Sequence, residues 1–199
     1  MTMTSTPQVR RAAAAAALGL SLLLSLAGCG SDTEGKASVP EGWSTLDTDS
    51  LSVGYPKDKG YAEQPAAERS RNNAAVALKV ENGIRTGMVS VQLDFATGVS
   101  DAGEAAAAAG AGIGLGSTRR ATEDVRLAGP AKSREARRID YDFTADGKED
   151  TPNTGTPMTG VLVAGVDSGG VPFVVRLNAV KGEVSGEELD AFVGSITVK

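Results

Sequence analysis

Histidine is absent from this chain of 199 residues, cysteine occurs once, tryptophan once, and aromatic residues make up only 4%. Without histidine there can be no Ser-His-Asp or Cys-His nucleophile system and no His-ligated metal site. A single cysteine, Cys29, forms no intramolecular disulfide, so the fold has to rest on its packed core. Ser-x-x-Lys and Gly-x-Ser-x-Gly nucleophile motifs are missing as well. A carboxylate pair could still serve a glycosidase, and Asp140, Asp142, Asp146, Glu149 and Asp150 are the densest group of acids. Their spacing misses the EF-hand pattern, because Thr144 stands where the third calcium ligand belongs. They read as solvated charges of a strand face and a loop. The sequence therefore points to a protein that is not an enzyme, with no catalytic, cofactor-binding or metal-binding residue assigned.

What is present begins at the N-terminus. Arg10-Arg11 precedes a run from Ala12 to Leu26 that is apolar apart from two serines and a glycine, and Leu26-Ala27-Gly28-Cys29 closes it. Fifteen helical residues reach about 22 Å, short of the ~30 Å of a bilayer's hydrocarbon core. The run thus fits a secretory signal better than a stable transmembrane helix. The four closing residues resemble the lipobox of signal-peptidase-II substrates, which implies cleavage between Gly28 and Cys29 and lipidation of Cys29. Two acyl chains hold a protein at a membrane where one holds it only marginally. The expected address is the extracytoplasmic face of the cell membrane, reached by the general or the twin-arginine export route.

Cleavage removes Arg10 and Arg11 and no acid, taking the formal net charge from −5 to −7. That acidity disfavours nucleic acid as a partner. Residues 29–41 carry almost nothing that could enter a core and read as a flexible linker behind the lipidated cysteine. Residues 42–199 are expected to form one globular α+β domain.

Within that domain, Trp43 reads as a large core residue at the edge, and Leu51, Val53 and Tyr55 alternate as a strand that Pro56 stops. Residues 56–73 are polar and read as a short helix or an irregular crossover. Val76, Leu78 and Val80 are expected on one buried face, Asn82-Gly83 in a turn, and Val89, Val91, Leu93 and Phe95 on the next face, as an antiparallel hairpin. Asp101-Ala102-Gly103-Glu104 reads as a capping box opening the alanine run 105–109, a helix that ends among Gly110, Gly112, Gly114 and Gly116. Those glycines lack the spacing of a phosphate-binding loop and read as a small-residue helix lying close to the sheet.

Strand signals return from Glu123. Ile139, Tyr141 and Phe143 alternate with Arg138, Asp140 and Asp142, and residues 144–158 form a polar loop. Val161 and Val163 precede an Asp167-Ser168-Gly169-Gly170 turn, after which Phe173, Val175, Leu177 and Ala179 line the core. Ser185-Gly186-Glu187-Glu188 is a second capping box, before Leu189, Phe192, Val193 and Ile196 at helical spacing. Thr197-Val198 returns as a short strand.

Three segments carry a family likeness: Trp43 followed by Ser52-Val53-Gly54-Tyr55-Pro56, the Gly129-Pro130-Ala131 turn before Ile139-Asp140-Tyr141, and the closing Glu188-Leu189 and Val193-Gly194-Ser195-Ile196. Together they resemble an actinobacterial LpqN-type lipoprotein of the PsbP-like superfamily. The resemblance covers most of the mature chain and implies an antiparallel sheet sandwiched between helices (α/β/α), in a family of mostly noncatalytic accessory or protein-binding modules. The loop 144–158 and the glycine-rich first helix depart from that pattern.

One charge asymmetry remains. Residues 119–138 hold seven cations, among them Arg134, Arg137 and Arg138, against Glu123, Asp124 and Glu135. They suggest a basic surface for anionic headgroups or an acidic partner, unless the sheet spreads them over opposite faces. The leading expectation is a lipid-anchored envelope protein that binds another envelope component. The alternative is a carrier of a small apolar ligand or lipid between helix and sheet, with Ala105 to Leu115 as one wall.

Overall fold

Pairing between neighbours in sequence builds most of the architecture. The computed structural model describes residues 37–114, 116–148 and 150–199. The signal, Gly28 and Cys29, and the first part of the linker lie outside the described residues. The described residues form one compact unit. Among the described residues no helix is long and apolar enough to cross a membrane.

Among the described residues ten strands and two α-helices follow one another: β1 (Ser44–Asp47), β2 (Leu51–Tyr55), β3 (Tyr61–Glu63), β4 (Ala75–Glu81), β5 (Ile84–Leu93), α1 (Ala102–Ala111), β6 (Thr118–Arg126), β7 (Glu135–Thr144), β8 (Pro157–Val166), β9 (Pro172–Val180), α2 (Gly186–Gly194) and β10 (Thr197–Val198). Seven strands make an antiparallel sheet in the order β3-β4-β5-β9-β8-β7-β6, and β1-β2-β10 make a second, smaller one. The fold is α+β, as expected. The second sheet was not.

Strand β8 shows how the large sheet is covered on both faces. Successive side chains of a strand point to opposite faces. Val161 and Val163 join one buried cluster, with Val89, Val91, Val175, Leu177, the small sheet's Leu46, Leu51 and Val53, and α2's Leu189 and Phe192. Leu162 and Ala164 join another, with Ile139, Tyr141, Val174 and α1's Ala105, Ala106 and Ala109. A strand buried on both faces reads as an unbroken apolar run, which Val161-Leu162-Val163-Ala164 is. Trp43 packs, half-buried, against the first cluster.

Both helices start where the sequence placed them. Ser185 and Glu188 make the reciprocal capping box of α2. At α1 only half of the expected box forms: Asp101 accepts from the Glu104 amide at 2.8 Å, but Glu104 reaches back to Ser100 instead of Asp101. Helix α1 ends at Ala111, among the glycines.

Three expectations need correction. In β4 the residues facing the first cluster are Ala75 and Ala77, paired with Val91 and Val89, so Val76 and Leu78 point the other way. A register shift between Lys79 and Val80 then leaves Val80 54% exposed. Residues 56–73 hold no α-helix but two short 3-10 turns around the edge strand β3. Strand β6 begins at Thr118, five residues before the first strand signal, because its pairing with β7 holds it rather than any buried face.

Candidate functional site

Where α1 stops, the sheet beyond it is left uncovered on that side, and a groove of about 720 Å³ opens there. Such a volume lies within the range of small-molecule sites. Its floor comes from three adjacent strands, because Tyr141, Gly160 and Asn178 pair in one row across β7, β8 and β9, and Met88 of β5 continues that row. One wall is the turn after α1, with Gly112 and Ile113. The opposite wall is the β7–β8 loop, with Ala145, Asp146, Thr151 and Pro152. Phe143 and Met158 close the end, and the Phe143 ring stands 5.7 Å from that of Tyr141.

The loop is built to hold its place. Ala145 donates its amide to Thr156 and accepts from Gly155, both at 2.9 Å, and the Asp150 carbonyl accepts from the Arg85 amide on β5 at 2.8 Å. It therefore ties the β7–β8 hairpin to β5 beside the groove.

Polar side chains stand beside the apolar ones, several of them fixed by hydrogen bonds. The Tyr141 hydroxyl donates to Asn178 Oδ1 at 2.5 Å, and Arg176 Nη1 donates to Gln92 Oε1 at 2.8 Å. Gln92 Nε2 in turn donates to Asn73 Oδ1 at 3.1 Å, which fixes which way the amide faces. Burial pushes the Tyr141 phenol up to about 12, although the nearby Arg176 charge pulls the other way. Burial likewise draws the Arg176 guanidinium below its ordinary value, with Tyr141 opposing. The exposed Asp146 carboxyl is held below the usual range chiefly by its hydrogen bond with Lys148.

Arg176 escaped the sequence reading. Its signal was available, a lone charge inside the apolar strand Phe173–Ala179.

The residues singled out from sequence fall elsewhere. Arg134 donates from Nε to the Gly129 carbonyl at 2.5 Å and belongs to the turn before β7. Arg137 pairs with Asp124 at 2.8 Å, while Arg138, its neighbour on the strand, points to the other face. There Arg138 meets Asp190 of α2 at 2.7 Å, Asp140 at 3.1 Å and Glu123 at 3.4 Å. The structure does not gather the three arginines on one surface. The acids disperse likewise, Asp142 to Lys181 and Arg120, and Asp146 to Lys148. No group of three or more potential metal-ligating side chains occurs among the described residues. Of the expected ligand wall, Ala105, Ala106 and Ala109 are packed onto the sheet, and among its described residues Gly112 to Gly114 border the groove.

No family model and no curated protein sequence matches the chain. Among solved structures it is similar to LpqN of Mycobacterium tuberculosis, described as involved in cell envelope biogenesis, at 18% identity over 82% of each chain with a TM-score of 0.41. A protein from Bacteroides thetaiotaomicron VPI-5482 is similar at 15% identity and a TM-score of 0.41, over 83% of this chain, which spans about half (49%) of the other. A Pseudomonas aeruginosa protein of unknown function follows at 10% identity and 0.37, over 71% of this chain and 85% of that one. These likenesses are distant, and the reading of the site rests on its own residues.

Proposed function

We propose that this chain is an extracytoplasmic lipoprotein held at the membrane through Cys29, and that its α+β domain is a noncatalytic binding module carrying a small, largely apolar ligand in the groove beside α1. The observation that carries the reading is the groove itself. Met88, Ile113, Phe143 and Met158 give it apolar walls, and the Tyr141–Asn178 pair and Arg176 give it a few fixed polar groups. Pockets that bind small molecules have this composition. The lipobox-like segment and the linker behind it support the membrane address.

Native mass spectrometry of the full chain extracted from its own membranes tests the carrier role. A co-purifying apolar molecule is the expected result. A ligand-free protein that crosslinks to one envelope protein would overturn the carrier role in favour of an adaptor. The anchor has its own test: Cys29→Ser should move the chain out of the membrane fraction and remove the acyl mass, and unchanged fractionation would refute lipidation.

A further inference from the structure

Arg176 is unlike the other arginines of the domain. It sits between the fully buried Val175 and Leu177 on a central strand and turns into the groove. A guanidinium offers five N–H donors. Here a single hydrogen bond, to Gln92, is made, and among the described residues no carboxylate lies within ion-pair distance. A partly desolvated charge left this way is costly unless something else meets it. The carbonyl end of α1 supplies about half a negative charge, which offsets only part of it.

The other charges of the groove have the same bias. Arg85 borders it and makes no ion pair among the described residues, while the acid on its walls, Asp146, is already matched by Lys148. The groove is therefore cationic within a chain of net charge −5. Nη2 of Arg176 would lie 3.5 Å from a Cβ placed at Gly112, so a glycine there leaves the approach to the guanidinium open.

We infer that the groove takes a molecule with a carboxylate head and an apolar body, the carboxylate seated on Arg176 and the body along Met88, Phe143 and Ile113. This rests on the reading of the groove as a ligand site. A planar carboxylate matches the guanidinium fork with two parallel hydrogen bonds. A single carboxylate is the natural complement of Arg176, whose strand neighbours Val175 and Leu177 are fully buried.

The test compares dodecanoate with 1-dodecanol by calorimetry on residues 32–199, which hold both buried clusters complete with their helices and small sheet. Dodecanoate should bind about tenfold or more tightly than dodecanol at pH 7.4. Arg176→Met should abolish that preference while leaving dodecanol affinity in place, and Arg176→Lys should restore part of it. A measurement on the unaltered protein guards against a variant that fails to fold. With dodecanoate labelled at the carboxyl carbon, the bound signal should stay ionised to lower pH than the free one. Equal affinity for the acid and the alcohol, or a bound carboxyl that titrates like the free one, overturns the assignment to Arg176 and leaves the groove as an apolar site. Failure of both probes to bind removes the ligand site as well.

Discussion

The Tyr141 hydroxyl reaches Asn178 Oδ1 over the top of Gly160, the residue that stands between them on the intervening strand. A Cβ at Gly160 would lie 2.3 Å from Asn178 Oδ1 and 2.6 Å from Tyr141 Cζ. The hydrogen bond and the ring position both depend on that missing carbon.

Gly160→Ala should therefore lower stability by about 1–3 kcal/mol through overpacking. Gly186→Ala, where a Cβ meets nothing within 4 Å, should change it by less than about 0.5 kcal/mol. Urea unfolding of the two variants measures the contrast, and equal midpoints would refute it.

Arg137 and Arg138 should respond unequally to substitution. Arg138 has a side chain 12% exposed and serves three acids, of which Asp140 is only 13% exposed. Arg138→Ala leaves those carboxylates short of a partner and should lose about 1–3 kcal/mol. Arg137 is 39% exposed and its partner Asp124 78%, so Arg137→Ala should fall within about 1 kcal/mol. The same residues test the basic-surface idea: with Arg134, Arg137 and Arg138 reversed to glutamate, unchanged retention on anionic vesicles would remove it.

The hydrogen bond from Lys181 is the main cause holding the Asp142 carboxyl below its ordinary value, with Thr159 and Arg120 adding to it against partial burial. A carboxylate lowered in the folded state contributes stability above its unfolded pKa of about 3.9, and loses that contribution as pH falls through the folded value. Asp142→Asn should melt below the parent at pH 7 and converge with it near about pH 2. A constant gap across that range would be inconsistent with this account.

The β7–β8 loop should come loose without unfolding the domain. Gly147 has φ +69°, and a Cβ there would stand 2.1 Å from Thr154 Oγ1. Gly147→Ala should speed hydrogen exchange at Arg85, whose amide bonds the loop's Asp150, while exchange at the β9 amides stays slow. Unchanged protection at Arg85 would mean that the loop's shape does not depend on this glycine.

How much was readable from sequence depended on what covered each strand. In β5 and β9 the pattern placed Val89, Val91, Phe173, Val175, Leu177 and Ala179 on the buried side, and all six are fully buried in one cluster. In β4 it failed, because Ala75-Val76-Ala77-Leu78 is apolar on both faces and a period of two cannot choose between them. The small alanines face the crowded side, under the second sheet, and the larger side chains face the other. Strand β6 carries charge on five of its nine residues and gave no period at all, as expected for an edge strand that buries no face. The groove was half legible: the glycines that end α1 were recognised, but what they uncover depends on how far the sheet runs on, and sequence spacing does not report that.

That difference in reach sets the size of the site. Strands β7 and β8 have ten residues each and run about 34 Å. Helix α1 also has ten and rises about 15 Å. The groove occupies sheet that the helix is too short to roof, and each further helical turn would close off about 5 Å of it. Its capacity is therefore fixed by an endpoint, at Gly112, rather than by a hollow inside a packed core. Moving that endpoint would resize the chamber while the buried faces on either side kept their contacts.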